Sequence, residues 1–167
     1  TAFDRIQSTR GDVAFEHGDW SDARLRSLQR VQVVACGTAL HAGYVARYLI
    51  ESIARLPVDL DFASEFRYRD PQLAPGTMAL AISQSGETAD TLAALRLARQ
   101  LGGWPASICN VIGSTVVRES EATILTHAGP EIGVASTKAF SAQVVASFLL
   151  AVRLARAIAG ALAHAHA

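Results

Sequence analysis

The stretch Met78-Ala-Leu-Ala-Ile82 is a continuous apolar run that leads directly into the polar segment Ser83-Gln-Ser-Gly-Glu-Thr88. An uninterrupted apolar run of this length is typical of a central parallel strand that is buried on both faces. Beyond the polar segment, Leu92, Leu95 and Leu101 recur at helical spacing on one side of the chain. The order of strand, polar turn and helix predicts a βα unit whose strand lies at the centre of a sheet.

The same alternation of apolar runs and helical periods continues on both sides of this unit. Strands are predicted at Val31–Ala35, Val58–Asp61, Met78–Ile82, Ala106–Asn110 and Ala122–Leu125. Helices are predicted between Thr38 and Leu56, over Ala63–Tyr68, between Thr88 and Leu101, and over Ser136–Ala163. Strands that alternate with helices at this spacing predict the α/β class, with a doubly wound, mainly parallel sheet flanked by helices.

The length of the chain predicts one domain. The 167 residues suffice for one substantial core and are too few for two typical domains. Residues 1–30 are expected to form an N-terminal helical extension, with a helix around Ser21–Arg30. Residues 31–167 are expected to form a single α/β domain, whose strand order the alternation does not reveal.

Charge, cysteine content and apolar length argue against several classes of protein. Lys and Arg together number 15, as do Asp and Glu, so the chain has no overall attraction to nucleic acid or anionic membranes. Cys36 and Cys109 are too few for a disulfide framework or a four-ligand metal site. The longest apolar stretch, around Ala142–Val152, is too short to span a bilayer and contains Gln143 and Ser147. We expect no nucleic-acid partner, no membrane partner and a cytoplasmic location.

Three polar segments fall at the predicted carboxyl ends of strands or before a helix, where open α/β sheets bind ligands. These are Cys36–Thr38, Ser83–Thr88 and Glu131–Lys138. In the second, three hydroxyls, one amide and a glycine lie at a helix N-terminus, where free N–H groups and the helix dipole favour an anion such as phosphate. The alternative is that Ser85 or Thr88 simply caps the helix.

The other two segments carry weaker signals. Gly37 and Thr38 could lend backbone N–H groups and a hydroxyl to the same ligand. Cys36 is interpreted as a packed thiol rather than a nucleophile, because no motif places a base beside it. In the third segment, Ser136 or Thr137 is predicted to cap the last helix.

Motifs for cofactors, metals and known catalytic groups are missing from the sequence. It contains no G-x-G-x-x-G dinucleotide motif, no P-loop and no G-x-S-x-G nucleophile motif. His164 and His166 lie in an Ala-rich tail and are interpreted as terminal residues rather than metal ligands. We therefore expect no cofactor, no metal site and no catalytic residue in this chain.

Four strings of residues resemble one known family. Ser83-Gln-Ser-Gly-Glu-Thr-Ala-Asp-Thr91 is similar to the sugar-phosphate loop of SIS (sugar isomerase) domains. Three further strings narrow the resemblance to the first of two SIS domains in the glutamine–fructose-6-phosphate transaminase family. They are Ala35-Cys-Gly-Thr38, Ala63-Ser-Glu-Phe-Arg-Tyr68 and Glu131-Ile-Gly-Val-Ala-Ser-Thr-Lys-Ala-Phe140.

The resemblance implies a five-stranded parallel sheet flanked by helices and a hexose 6-phosphate ligand, either fructose 6-phosphate or glucosamine 6-phosphate. It assigns phosphate binding to Ser83, Gln84, Ser85 and Thr88. It assigns sugar contacts to Cys36, Gly37, Thr38, Val134 and Ser136. It further implies pairing, as a homodimer or with a second SIS domain. Ala39 stands where the family often has Ser, so one hydroxyl contact is expected to be missing.

Enzymes of that family also carry a glutaminase domain and a second SIS domain with the acid and base groups, and neither is found in this sequence. The chain begins without Met, and we expect it to be a fragment that binds the phosphosugar but is inactive alone. One alternative is a stand-alone, non-catalytic phosphosugar sensor. Another is a single-SIS phosphosugar isomerase, whose candidate catalytic groups would be His41, Glu65, Glu87 and Lys138.

Overall fold

The computed structural model describes residues 6–7, 12–130 and 137–165, with side chains described for residues 13–130 and 137–160. The strands are β1 (Ile6–Gln7), β2 (Asp12–Val13), β3 (His17–Gly18), β4 (Arg30–Ala35), β5 (Val58–Phe62), β6 (Thr77–Ser83), β7 (Trp104–Cys109) and β8 (Ala122–Leu125). The helices are α1 (Asp22–Arg26), α2 (Thr38–Leu49), α3 (Ala63–Tyr68), α4 (Ala89–Gln100), α5 (Thr115–Glu119) and α6 (Lys138–Ala165), and α2 continues into a π-helical segment, Ile50–Ala54.

The main sheet has six strands in the order β3-β8-β7-β6-β4-β5. The strands from β8 to β5 are parallel, and they are the five that the sequence predicts. The α/β class and the doubly wound sheet are therefore confirmed. The sixth strand, β3, is an addition to the expected five, and it pairs antiparallel with the edge strand β8.

Strand β6 lies at the centre of the parallel part, as its apolar sequence predicts. All seven of its residues are buried, because neighbouring strands flank it and helices cover both faces. Ile82 lies opposite Ala35 of β4 and Ile108 of β7. Since β4 and β6 end side by side, the polar segments that follow them meet at one edge of the sheet.

The two faces of the sheet are covered by different helices. Alternate residues of β6 point to opposite faces, so Met78, Leu80 and Ile82 join one core cluster and Ala79 and Ala81 the other. The first cluster packs against α1, α2 and α6, and the second against α3, α4 and α5. Helix α4 packs against the face that carries these two alanines.

Short local elements differ most from the sequence-based expectation. Helix α1 is shorter than Ser21–Arg30, because the chain turns after Arg26 so that Arg30 can begin β4. Helix α5, strand β3 and the two-residue pair β1–β2 were not predicted, since elements of two to five residues are too short to show a hydrophobic period. The division at residue 30 between an extension and a domain stays a prediction.

Helix α6 is longer than the apolar stretch on which the sequence argument rests. Its segment Lys138–Gly160 is 23 residues with a mean hydropathy of 1.6, which is long and apolar enough to cross a membrane. Length alone therefore does not exclude a span, contrary to the expectation. However, α6 packs against α1 and α2, and it buries the polar residues Gln143 and Ser147. A core helix of a globular domain passes the same test of length and hydropathy.

Candidate functional site

A cleft of about 170 Å³ opens at the carboxyl ends of β4 and β6. It is lined by Cys36, Thr38, Ala39, Ile82, Ser83, Gln84, Ser85, Thr88, Thr91 and Gln143. Most of these side chains carry hydroxyl or amide groups, and none of the residues is Asp, Glu, Lys, Arg or His. An anion in this cleft would be held by neutral donors and helix dipoles rather than by Lys or Arg.

Two serines of the loop after β6 shape its backbone. The Ser83 hydroxyl oxygen accepts a 2.9 Å hydrogen bond from the N–H of Gly86. The Ser85 hydroxyl oxygen accepts a 3.2 Å hydrogen bond from the N–H of Glu87. Because both hydroxyls act as acceptors here, each keeps its own hydrogen available for donation to a ligand.

Thr88 is the N-cap residue of α4, but its side chain makes no capping hydrogen bond. The Ser85 hydroxyl bonds Glu87 instead of the helix. The alternative interpretation, in which Ser85 or Thr88 caps α4, is therefore wrong. The N-terminus of this 12-residue helix is left without a side-chain cap beside the cleft, which is the arrangement that suits an anion.

Gly86 is required by packing beneath the loop. Its φ is +70°, a conformation that L residues rarely adopt. A Cβ at this position would lie 2.0 Å from Ser114 Oγ and 2.9 Å from Cys109 Sγ. The carbonyl of Gly86 also accepts a 3.0 Å hydrogen bond from the N–H of Val116. The glycine thus fits the loop against α5 and β7.

Glu87 points away from the cleft. Its carboxylate accepts a 2.8 Å hydrogen bond from the N–H of Thr115, at the start of α5. This bond, together with the Thr115 hydroxyl and nearby Arg118, lowers the pKa of Glu87 below its usual value. The negative charge of Glu87, next to the candidate anion site, is therefore stabilised by a hydrogen bond from the first turn of α5.

The segment after β4 forms the opposite wall of the cleft. Gly37 is the N-cap of α2, with φ +56° and ψ −135°, and no side chain caps that helix from this position. Thr38 is exposed at the cleft. Cys36 is half-buried, and the Thr91 hydroxyl contacts its Sγ at 3.8 Å. Among the described residues that line the cleft, Cys36 alone has a titratable side chain, so no base stands ready to activate its thiol.

Besides Thr91, which also lines the cleft, the sequence-based site residues left out Gln143. It lies on α6 and is only 1% exposed, and its side-chain Nε2 has no hydrogen-bond partner among the residues that the structure describes. The sequence did contain a signal for its burial. Gln143 lies at helical spacing from Ala139, Ala146 and Leu150, which are buried, so it falls on the buried face of α6.

The other sequence-based candidates fall into two groups. Val134 and Ser136, expected to contact the sugar, lie outside the described residues. The candidate catalytic groups of a single-SIS isomerase, His41, Glu65, Glu87 and Lys138, are not among the residues that line the cleft, and all four are exposed. Among the described residues, no group of three or more His, Cys, Asp or Glu side chains could hold a metal ion.

Comparisons with known proteins agree on one family. The sequence matches the family model described as "SIS domain" over residues 24–153. It is 53% identical over 155 residues to the glutamine–fructose-6-phosphate aminotransferase (isomerizing) of Chlorobaculum tepidum, and 58% identical over 130 residues to that of Streptomyces coelicolor. These matches cover 88% and 78% of this chain, but only 25% and 21% of the relatives.

A solved structure gives the same result. The C-terminal domain of glucosamine-fructose-6-phosphate aminotransferase from Francisella tularensis superimposes with a TM-score of 0.86 and 39% sequence identity. The match covers 93% of this chain and 43% of that chain. The chain thus spans about a quarter of the length of the curated relatives and less than half of the solved one. Since the family model covers well over half of the sequence, the chain belongs to the SIS domain family.

Proposed function

We propose that this chain binds a hexose 6-phosphate in the cleft between α2 and α4, as the sugar-phosphate-binding half of a glutamine–fructose-6-phosphate aminotransferase isomerase module. The observation that carries the proposal is the loop Ser83–Thr88, which presents three hydroxyls and an amide beside the uncapped N-terminus of α4. Neutral donors and the positive end of a helix dipole are a common way for proteins to bind phosphate. The names of the relatives supply fructose 6-phosphate as the sugar phosphate to consider first.

The roles of the site residues follow from their places in the cleft. Ser83, Gln84, Ser85 and Thr88 would hold the phosphate, because they surround the N-terminal end of α4. Cys36, Gly37 and Thr38 would contact the sugar, because they form the wall that faces this loop from the end of β4. Val134 and Ser136 stay candidates for further sugar contacts on the strength of the sequence alone.

Isomerisation of a phosphosugar needs a group that moves a proton between carbon atoms, normally a carboxylate or an imidazole. The described lining of the cleft contains no carboxylate and no imidazole. The nearby carboxylate of Glu87 is hydrogen-bonded to the N–H of Thr115 in α5. We therefore propose that this chain binds the phosphosugar without catalysing proton transfer, and that acid and base groups come from a second SIS domain. The same lack of acid and base groups argues against a single-SIS isomerase whose active site lies within one chain.

Pairing and location are further proposals. Helices α2 and α6 cover the same face of the sheet, and both leave large apolar side chains exposed, namely Tyr44 and Tyr48 on α2 and Val145 and Phe148 on α6. Such surface suits pairing with a second SIS domain, in a homodimer or in a longer chain. Sedimentation of the chain over a range of concentrations tests the homodimer, which a purely monomeric result would exclude. A cytoplasmic location is also proposed, on the ground that the relatives are named as enzymes that act on glutamine and fructose 6-phosphate.

The ligand is tested by thermal unfolding in the presence of millimolar glucosamine 6-phosphate. A ligand that binds only the folded state raises the melting temperature by mass action. Free glucosamine and inorganic phosphate are the controls, because the first has the sugar without the phosphate and the second has the phosphate without the sugar. A rise specific to the phosphosugar supports the proposal, and equal rises with free glucosamine would refute the phosphate site.

A further inference from the structure

Gln143 places an unpartnered amide donor against the cleft. Its side chain is among the lining groups, the residue is 1% exposed, and Nε2 has no hydrogen-bond partner among the described residues. A primary amide that is buried without a partner loses its hydrogen bonds to water and gains none in exchange. Such a group in a native protein calls for a physical explanation, and a ligand that supplies the missing acceptor is one.

The neighbouring polar residue on α6 shows the contrast. Ser147 is fully buried one turn further along the helix, and its hydroxyl donates a 2.8 Å hydrogen bond to the carbonyl of Gln143. On the same buried face of α6, the Ser147 hydroxyl therefore has a hydrogen-bond acceptor, whereas Gln143 Nε2 has none within the described part of the chain. The remaining buried positions nearby, Ala139, Ala146 and Leu150, offer no side-chain acceptor.

We propose that the Gln143 side-chain amide donates a hydrogen bond from Nε2 to an oxygen of the sugar in the bound hexose 6-phosphate, which makes Gln143 a specificity-determining residue. This inference rests on the proposed function, since it assigns a contact within the same cleft.

The position of α6 favours the sugar over the phosphate as the acceptor. Helix α6 packs against α2, and the start of α2 carries Thr38 and Ala39 on the wall of the cleft that faces the phosphate loop. Gln143 therefore approaches the ligand from the side assigned to the sugar. The phosphate end is already supplied with donors from the loop Ser83–Thr88.

Ala39 adds to this argument. Its side chain lines the same cleft but has no polar group. A sugar hydroxyl that faced only Ala39 and Ile82 would lose its hydrogen bonds to water on binding. The Gln143 amide, from the adjacent helix α6, is a donor that this otherwise apolar part of the cleft lining can offer in exchange.

The test uses Gln143→Met, which keeps the length of the side chain and removes the amide. Gln100→Met, at the exposed end of α4 and outside the cleft lining, is the matched control. Without ligand, Gln143→Met should melt at the same temperature as the natural chain or higher, because an unpartnered buried donor has been removed. With glucosamine 6-phosphate, its affinity should fall about tenfold or more, whereas its affinity for inorganic phosphate should be unchanged.

The outcomes separate the inference from the proposed function. If glucosamine 6-phosphate does not raise the melting temperature of the natural chain or of Gln100→Met, the proposed function fails and this inference fails with it. If glucosamine 6-phosphate raises the melting temperature of both, and raises that of Gln143→Met by the same amount, the inference alone is overturned. A lower melting temperature of unliganded Gln143→Met would also overturn it, because the amide would then have a structural partner.

A second measurement needs no variant. The side-chain amide resonances of Gln143 can be followed by nuclear magnetic resonance on the natural chain during titration with glucosamine 6-phosphate. A new hydrogen bond from Nε2 should move these resonances with the phosphosugar and leave them in place with inorganic phosphate. Unchanged resonances at saturating phosphosugar would overturn the inference, even if Gln143→Met failed to fold.

Discussion

The carboxylate of Glu87 and the backbone N–H of Thr115 are joined by a 2.8 Å hydrogen bond across 28 residues of sequence. The bond links the candidate phosphate loop to α5. It also accounts for a glutamate next to a proposed anion site, because the carboxylate is turned toward a group that stabilises its charge. The loop therefore depends on a helix that contributes no residue to the described lining of the cleft.

This relationship predicts a pH dependence of stability. The pKa of Glu87 is lowered from its usual 4.5 by the hydrogen bond from Thr115. A carboxylate with a depressed folded-state pKa contributes stability above its unfolded pKa, and this contribution is lost as the pH falls through the folded value. Glu87→Gln should therefore melt below the natural chain at neutral pH, and the difference should shrink as the pH falls below 4.5.

Melting curves of both proteins between neutral pH and about pH 3 test this prediction. Glu121→Gln, at an exposed glutamate just before β8, is the matched control for the loss of one carboxylate elsewhere in the chain. A melting difference between Glu87→Gln and the natural chain that is independent of pH would contradict the account of Glu87.

Gly86→Ala should destabilise the protein through both conformation and contact. A non-glycine residue at φ +70° is strained, and the new Cβ would lie 2.0 Å from Ser114 Oγ. We expect a loss of about 2–5 kcal/mol in the free energy of unfolding, measured in urea. Gly102→Ala is the control, since Gly102 has φ +87° but no described atom within 4 Å of the position that a Cβ would take. It should cost only about 1–2 kcal/mol, and equal losses would contradict the packing argument.

Thr88→Val removes a hydroxyl that borders the cleft and does not cap α4. The Thr88 side chain makes no capping bond to α4, so the variant should keep the melting temperature of the natural chain. A hydrogen bond to a charged phosphate contributes about 1.5–3 kcal/mol, so affinity for glucosamine 6-phosphate should fall about 10- to 100-fold. Calorimetric titration measures this affinity, with Ser52→Ala, on the exposed surface of the π-helical segment that follows α2, as the control hydroxyl deletion. Unchanged affinity would remove Thr88 from the site.

Asn110 should prove structural rather than ligand-binding. Its side chain donates 2.8 Å to the carbonyl of Gly129 and accepts from the Thr126 hydroxyl at 2.9 Å and the Ala128 N–H at 2.7 Å. Asn110→Ala leaves all three groups unpaired and should cost about 2 kcal/mol or more in unfolding free energy. Thr126→Val removes one of the three bonds and should cost about 1 kcal/mol. If urea unfolding showed the same loss of unfolding free energy for Asn110→Ala and Thr126→Val, Asn110 would not organise the turn Thr126–Gly129.

The parallel sheet could be predicted because each of its strands carries its own local signal. Strand β6 is apolar throughout because it is covered on both faces, and such a run is visible without any knowledge of its neighbours. Strand β3 has no such signal. It consists of His17 and Gly18, both exposed, and it is defined by pairing with β8, where Gly18 lies so close to Ala122 that a Cβ would overlap it.

The site was predictable to the extent that its chemistry is local. The hydroxyls of Ser83, Ser85 and Thr88 stand together in the sequence, so the sequence alone predicts an anion site at this loop. The bond between Glu87 and Thr115 joins distant residues and could not be read from the pattern. Gln143 approaches the cleft from α6, and only the tertiary packing of that helix shows that its amide is buried there.

The central claim is that a hexose 6-phosphate binds at the loop Ser83–Thr88. Its most direct test is a nuclear magnetic resonance titration of the isotope-labelled chain with glucosamine 6-phosphate, in which every backbone amide is a reporter of position. We expect saturable shifts that are largest at Gly86–Thr91 and at Gly37–Ala39. Saturable shifts centred elsewhere, for example at the separate pocket that Trp20 and Arg153 line, or no shifts at millimolar ligand, would contradict the claim.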